Sequence, residues 1–222
     1  MNKLLIICGG DRLGKTSLIK GLCEHFDYKN VTVRHCDKPP KDLNEDVLMY
    51  QLKAFKQEFN LILSTQTMKD KYLYHKNIVI YDRFYLGEYV YGQLFRNYTS
   101  SVLKKKISDL EKVFLTWLEP YCDTYLVTLT ADPQFFLDRD DGNSFSKNLE
   151  QKTQELELFK EAHEFSIIKN KLLVKVDKTM VTTDESIDFL HAKGIKNVQK
   201  YTNIFREKKD ILNQVLTFLK LK

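Results

Sequence analysis

The chain has 222 residues, 43% hydrophobic and 12% aromatic, which supports one packed core and excludes an intrinsically disordered protein. Its 35 basic and 30 acidic residues give a formal net charge of +5, which suits anionic ligands but does not by itself indicate nucleic-acid binding. Four widely spaced cysteines argue against a disulfide framework or zinc site, and no apolar stretch could cross a bilayer, so we expect a cytoplasmic protein without membrane contact.

The N-terminal segment joins an apolar strand to an amphipathic helix through a glycine-rich loop. Residues 3–8 form a continuous β-favouring run, and residues 15–26 place apolar side chains on one helical face. The sequence between them, GGDRLGKT, has the spacing Gly-x-x-x-x-Gly-Lys-Thr. This combination of strand, loop and helix predicts a phosphate-binding loop.

The residue types of the loop have a physical reason. Backbone N–H groups can converge on phosphate oxygens only where glycine dihedrals are available and no side chain intervenes. Lys15 can reach the β- and γ-phosphates of a nucleotide, and Thr16 can ligate Mg²⁺. A strand-to-helix turn that uses glycine only for its geometry is the alternative. The residues expected to surround the phosphates of a nucleotide here, which the resemblance described below identifies as ATP, are Gly9, Gly10, Asp11, Arg12, Leu13, Gly14, Lys15, Thr16 and Ser17.

Beyond the loop, strand patterns alternate with helix patterns. The alternation predicts an α/β fold with a parallel sheet of about five strands and helices on both faces. We expect one domain over residues 1–222, with a helical tail from about residue 178 that could include a short helix from Asp184. Further strands are predicted at 31–36, 78–81, 124–129 and 171–177; helices at 43–73, 86–97, 103–121, 149–169 and 204–219; and a polar loop at 140–148.

A charged pair follows the predicted strand at 78–81. Ligands of parallel sheets gather at the carboxyl ends of the strands. The carboxylate of Asp82 can hold Mg²⁺, and the guanidinium of Arg83 can bind two phosphate oxygens. A structural salt bridge is the alternative interpretation, but a phosphate loop on the neighbouring strand favours a functional one.

These blocks resemble the thymidylate kinase family. GGDRLGKTS resembles its phosphate loop, Gly-x-Asp-x-x-Gly-Lys-Ser/Thr, and VIYDRFYLGEYVYG resembles its Asp-Arg-Tyr strand end with the helix that follows. VRHCDKPP stands where the family has an Arg-Glu-Pro loop, and LDRDDGNSF where it has a lid. The order of blocks holds over residues 1–177, and the form DRF-x-x-GE-x-VYG is similar to phage-encoded relatives. The resemblance implies a P-loop kinase that uses ATP and Mg²⁺.

The resemblance also implies individual roles. Thr16 and Asp82 would serve Mg²⁺, and Asp11 would contact the sugar hydroxyl of a nucleoside monophosphate. Arg83 would hold phosphate near the point of transfer, and Arg12 occupies the position of a catalytic arginine in one subgroup. The catalytic set implied in this way is Lys15, Arg12, Asp82 and Arg83.

The acceptor side departs from the family pattern. The helix at 43–73 offers lysines but no arginine for the acceptor phosphate, and Gly92 replaces the family's glutamine, although Gln93 is adjacent. Phe55 or Phe59 could stack on a base or belong to the core. In a lid near 138–148, Arg139 or Lys147 could approach the ATP phosphates or stay solvated. The expected substrate-binding residues are Asp11, Asp37, Phe55, Phe59, Arg83, Tyr91 and Gln93.

The leading interpretation is phosphorylation of a thymidylate-type deoxynucleoside monophosphate. One alternative is a nucleoside kinase with Asp37 as general base, although Asp11 favours the monophosphate. Another is a kinase of hydroxymethylpyrimidine in DNA, for which the lysine-rich segment 193–209 is the only hint. A nucleotide-dependent switch without transfer activity is disfavoured by the full residue set. Nucleotides are the expected partners, nucleic acid is disfavoured, and a homodimer is left open.

Overall fold

The computed structural model describes residues 2–35, 46–67, 78–120, 122–138, 142, 144–176 and 209–219. Within these ranges five strands form one parallel sheet, in the order β2-β3-β1-β4-β5. The first strand therefore lies at the centre of the sheet, where its apolar residues are covered on both faces. The strands are β1 (Asn2–Gly9), β2 (Val31–His35), β3 (Ile78–Asp82), β4 (Cys122–Ala131) and β5 (Asn170–Val176).

Helices cover both faces of this sheet, as predicted. One core cluster joins even-numbered residues of β1, such as Leu4 and Ile6, to α2, α3, α4 and α6. The other joins Leu5 and Ile7 to α1, α5 and α7. The helices are α1 (Lys15–Phe26), α2 (Val47–Thr67), α3 (Tyr85–Arg96), α4 (Ser100–Leu118), α5 (Pro133–Asp138), α6 (Leu149–Phe165) and α7 (209–219). None of the helices described is both long and apolar enough to cross a bilayer.

The helices differ from the sequence prediction in several places. The helix α4 begins and ends three residues before the predicted 103–121, and α2 begins at Val47 rather than at residue 43. Two further differences concern α6 and α5. The helix predicted over 149–169 ends at Phe165, because Ser166 adopts an extended conformation with ψ of 135°. The short helix α5 was not predicted, although its start carries a recognisable signal. Asp132 precedes Pro133, and its side chain accepts a hydrogen bond from the backbone N–H of Gln134 at 2.9 Å. Proline at the first helical position after a capping aspartate is typical of a helix start.

Part of the predicted C-terminal tail belongs to the core. Val215 is fully buried in the cluster that contains α1. A Cβ added at Gly21 would lie 2.9 Å from Leu212 Cδ2, so α1 and α7 approach each other closely. The predicted helix at 204–219 is confirmed over 209–219. The rest of it, and the predicted helix from Asp184, lie outside the described residues, and the single domain stays a prediction.

The buried carboxylate of Glu111 connects α4 to α3 and to the segment that follows α6. Glu111 is fully buried and accepts hydrogen bonds from Tyr85 Oη at 2.6 Å, Ser166 Oγ at 2.7 Å and the Ile167 N–H at 2.8 Å. Burial raises the pKa of Glu111, and the three donors oppose that rise. Since all three donors share Glu111 as their acceptor, we expect this side chain to contribute to the free energy of unfolding.

Replacing Glu111 with alanine should lower the free energy of unfolding by about 3 kcal/mol, because the buried hydroxyls of Tyr85 and Ser166 and the partly buried Ile167 N–H lose their acceptor. Urea denaturation of the variant measures this loss. The matched control is Glu119→Ala, since Glu119 lies at the end of the same helix but its side chain is 66% exposed. Equal losses in the two variants would contradict the role given to Glu111.

The pH dependence of stability should reveal a second group on this face, His163. Its Nδ1 lies 3.0 Å from Thr128 Oγ1, and burial, helped by Lys171, lowers the pKa of His163 from 6.5. The unfolded chain therefore binds more protons at acidic pH, and stability falls as the pH drops below the unfolded pKa. The unfolding free energy of wild type relative to His163→Gln should decline from about pH 7 to about pH 5. A difference independent of pH would contradict this assignment.

Candidate active site

The glycine-rich loop adopts backbone conformations that few side chains allow. Gly9 has φ of 133° and Gly14 has φ of 88°, both in the left-handed region. A Cβ at Gly9 would lie 2.5 Å from the carbonyl oxygen of Leu129, and one at Gly10 would lie 2.4 Å from Phe136 Cζ. These distances are too short for any side chain, so the loop's shape depends on both glycines. The loop ends at Gly14, where α1 begins with its N–H groups open to an anion.

Lys15 lies inside the curve of this loop. Its ammonium donates hydrogen bonds to the carbonyl oxygens of Gly9, at 2.9 Å, and Gly10, at 2.6 Å. The residue is only 6% exposed, and burial lowers the pKa of Lys15. The nearby carboxylates of Asp82 and Glu155 oppose that change. The loop therefore holds a buried ammonium at the place where an anion would meet the start of α1.

Arg83 and Asp11 form an ion pair across the cleft between β3 and the loop. The backbone N–H of Arg83 donates to the Ile7 carbonyl at 2.9 Å, which fixes the residue next to the end of β1. Its guanidinium carbon lies 5.6 Å from the centre of the Tyr91 ring, within cation–π range. The structure therefore brings together two residues that the sequence placed in the site.

Asp82 lies at the same edge of the sheet. The register pairs it with Ile7 of β1 on one side and His35 of β2 on the other. Its Oδ2 lies 3.2 Å from His35 Nδ1, whereas its buried Oδ1 has no hydrogen-bond partner within the described part of the chain. A buried carboxylate oxygen without a donor is suited to a cation, directly or through water. Asp82 and the exposed Thr16 at the start of α1 therefore fit the requirements of Mg²⁺.

The residues predicted to bind the acceptor lie in different surroundings. Tyr91 faces the site under Arg83, and burial raises the pKa of its hydroxyl. The amide of Gln93 donates to the Tyr89 carbonyl at 2.8 Å, beside a surface depression that α6 also lines. Phe55 is 3% exposed and packs edge-to-face on Phe84, with ring centroids 5.3 Å apart. Base stacking by Phe55 and a substrate contact by Gln93 stay predictions.

Gly92 faces the protein interior rather than open space. A Cβ there would lie 3.1 Å from Leu103 Cδ1 and 3.3 Å from Glu88 Oε1. Glu88 is itself buried and bound to Arg96 at 2.5 Å. A side chain at this position would therefore crowd α4, and any effect of Gly92 on the choice of base stays a prediction.

Three predicted residues cannot be placed, whereas Lys147 and Arg12 can. Asp37 and Arg139 lie outside the described residues, as does the side chain of Phe59. Lys147 donates to the Gly142 carbonyl at 2.5 Å, within the predicted lid itself. Arg12 is exposed in the loop, with φ of 68°.

Sequence reasoning missed two residues of this region, His35 and Glu155. His35 ends β2, and its position at the carboxyl end of a neighbouring strand was a usable signal. Glu155 carried no such signal, because its neighbours come from distant parts of the chain. It accepts hydrogen bonds from Tyr91 Oη at 3.1 Å and Ser146 Oγ at 2.6 Å.

No family model matches this chain, and no curated protein sequence matches it either. Solved structures do. The Bacillus subtilis YorR protein, in complex with phosphorylated GDP, is 18% identical with a TM-score of 0.51, over 86% of this chain and 97% of that one. Thymidylate kinase from Ehrlichia chaffeensis is 17% identical with a TM-score of 0.52, over 88% and 97%.

Polyphosphate kinase 2 from Arthrobacter aurescens is 13% identical with a TM-score of 0.53, over 96% of this chain and 69% of that one. Identities this low carry information about architecture and not about substrate. The chain has the α/β fold of P-loop kinases, with a five-stranded parallel sheet.

Proposed function

We propose that the protein is a kinase that transfers the γ-phosphate of Mg·ATP to a thymidylate-type deoxynucleoside monophosphate. The observation that carries the proposal is the position of the Lys15 ammonium. It lies buried inside a glycine loop, at the end of the central strand and near the carboxylate of Asp82. Phosphoryl transfer needs positioned positive charge more than a covalent nucleophile, and this site supplies such charge.

Each part of the site has a task in this reaction. The loop N–H groups and Lys15 would bind the β- and γ-phosphates, exchanging the carbonyl contacts of the ammonium for phosphate oxygens. Asp82 and Thr16 would hold Mg²⁺, which when bound neutralises charge on the transferred group. Arg12, exposed on the loop, would approach the moving phosphoryl group as a further cation.

The Asp11–Arg83 pair favours a phosphorylated acceptor over a free nucleoside. A guanidinium can bind two oxygens of an acceptor phosphate, and Asp11 would then be released to accept a hydrogen bond from the sugar hydroxyl. A free nucleoside offers the guanidinium no anion to replace Asp11. The nucleoside-kinase alternative relies on Asp37, which lies outside the described residues. The DNA alternative relies on segment 193–209, of which only residue 209 is described.

The acceptor panel tests the proposal. We expect the highest kcat/KM with dTMP or a 5-substituted relative such as 5-hydroxymethyl-dUMP, less with dUMP, and far less with thymidine or with DNA containing hydroxymethylpyrimidine. The diphosphate should be the product. Equal rates with purine monophosphates would contradict pyrimidine selectivity, and faster phosphorylation of thymidine would replace the proposal by the nucleoside-kinase alternative.

A further inference from the structure

Glu155 is a buried carboxylate that neither the loop motif nor the strand-end pair accounts for. It lies on the buried side of α6 and is 1% exposed. Its two hydrogen-bond donors come from separate elements: Tyr91 Oη from α3 at 3.1 Å, and Ser146 Oγ from the segment just before α6 at 2.6 Å. One side chain therefore joins the predicted lid to the helix that follows Arg83.

The Tyr91 end of this connection reaches the nucleotide cleft. The Tyr91 ring lies under the Arg83 guanidinium, 5.6 Å from ring centre to guanidinium carbon. The same ring lies 5.2 Å from that of Phe145, the neighbour of Ser146. A displacement of the Tyr91 ring would therefore reach both Arg83 and the lid.

The segment before α6 is held down at this point. The sequence predicts a polar loop at 140–148, yet Ser146 is fully buried. The buried hydroxyl of Ser146 is satisfied by the hydrogen bond that it donates to Glu155. The neighbouring Lys147 is exposed. The contact with Glu155 therefore fixes the position of residues 144–147 relative to α3.

We propose that Glu155 is a positioning residue that couples the lid segment 144–147 to the phosphate-binding cleft, through Ser146 on one side and Tyr91 with Arg83 on the other. The inference rests on the proposed kinase function for its catalytic consequence. It does not rest on that function for the coupling itself.

Glu111 provides an internal comparison, since it is also a buried carboxylate that binds a tyrosine of α3. Tyr85 donates to Glu111 at 2.6 Å, as Tyr91 donates to Glu155 at 3.1 Å. Tyr85, however, packs on Phe84 and Phe55 in the core rather than under Arg83. Tyr85→Phe and Tyr91→Phe therefore remove equivalent bonds, one of which leads to the cleft.

The experiment compares Tyr91→Phe and Ser146→Ala with the control Tyr85→Phe. Each is measured by steady-state kinetics, urea unfolding and hydrogen exchange of residues 144–148. Tyr91→Phe should lower kcat/KM for the acceptor about tenfold or more, because misplacement of a binding group by a fraction of an ångström is costly. Ser146→Ala should lower it several-fold, and Tyr85→Phe should change stability with activity within about twofold of wild type.

Hydrogen exchange tests the coupling without any catalytic readout. Under conditions in which the two variants have equal free energies of unfolding, Tyr91→Phe should show faster hydrogen exchange at residues 144–148 than Tyr85→Phe. Because position 91 is distant from this segment in sequence, such an effect has to pass through the packed structure. If Tyr91→Phe and Ser146→Ala match Tyr85→Phe in both kinetics and exchange, Glu155 is structural like Glu111 and the proposal is wrong. If wild type transfers no phosphate to any acceptor, the proposed function fails, and the exchange comparison alone decides the coupling.

Discussion

Replacing Lys15 with alanine should lower turnover about a thousandfold or more, because the variant loses the cation that neutralises phosphate charge in the transition state. The fold should persist. Within the described part of the chain, Lys15 Nζ donates hydrogen bonds only to the carbonyl oxygens of Gly9 and Gly10, so no distant element depends on this side chain for a hydrogen bond. Steady-state turnover with saturating Mg·ATP, together with urea unfolding, measures both parts of this prediction.

Lys20→Ala is the matched control. Lys20 lies on the same helix, but its side chain is 71% exposed and its salt bridge to Glu24 is a surface contact at 3.9 Å. Surface pairs of this kind contribute little. Wild-type turnover in a folded Lys15→Ala variant would show that the glycine loop is only a strand-to-helix turn.

Replacing Asp82 with asparagine should lower turnover about a hundredfold or more and raise the Mg²⁺ concentration needed for half-maximal rate. The carboxamide keeps the shape of the side chain but removes the negative charge from the buried Oδ1. Binding of ATP without Mg²⁺ should change little. Titration of the rate with Mg²⁺, beside calorimetric titration with ATP, separates the two effects.

Asp123→Asn is the control for this change. Asp123 lies near the start of β4, where the register pairs it with Lys3, at the opposite end of β1 from the loop. The exchange of one carboxylate for an amide there should leave the Mg²⁺ dependence unaltered. If the Asp82 variant titrates Mg²⁺ like wild type, the Asp82–Arg83 pair is structural.

Local sequence patterns were sufficient to predict an element when the residues that define its ends lie within or next to that element. The helix α1 begins and ends as predicted, because its apolar stripe follows directly from the glycine loop. The ends of longer helices were not predictable in this way. The helix α6 ends four residues early, since Ser166 turns its hydroxyl to Glu111 of another helix. A six-residue helix such as α5 is too short for a periodic pattern, and only its Asp-Pro start could have revealed it.

In the candidate site, too, some residues were predictable from local patterns and others only from packing between distant parts of the chain. Asp82 and Arg83 were predictable, because the carboxyl ends of parallel strands meet at one edge. Glu155 was not, because its donors lie 64 and 9 residues away along the chain and its role arises only from packing. Gly92 departs from the family pattern, and only the structure shows that a Cβ at this position would crowd Leu103 of α4.

The most direct test of the kinase assignment is transfer of label from γ-³²P-labelled ATP to dTMP by the 222-residue chain with Mg²⁺. The account predicts labelled dTDP from wild type, with formation of ADP in equal amount, and almost none from the folded Lys15→Ala variant. Hydrolysis of ATP without a labelled acceptor, or equal transfer by both proteins, would contradict it.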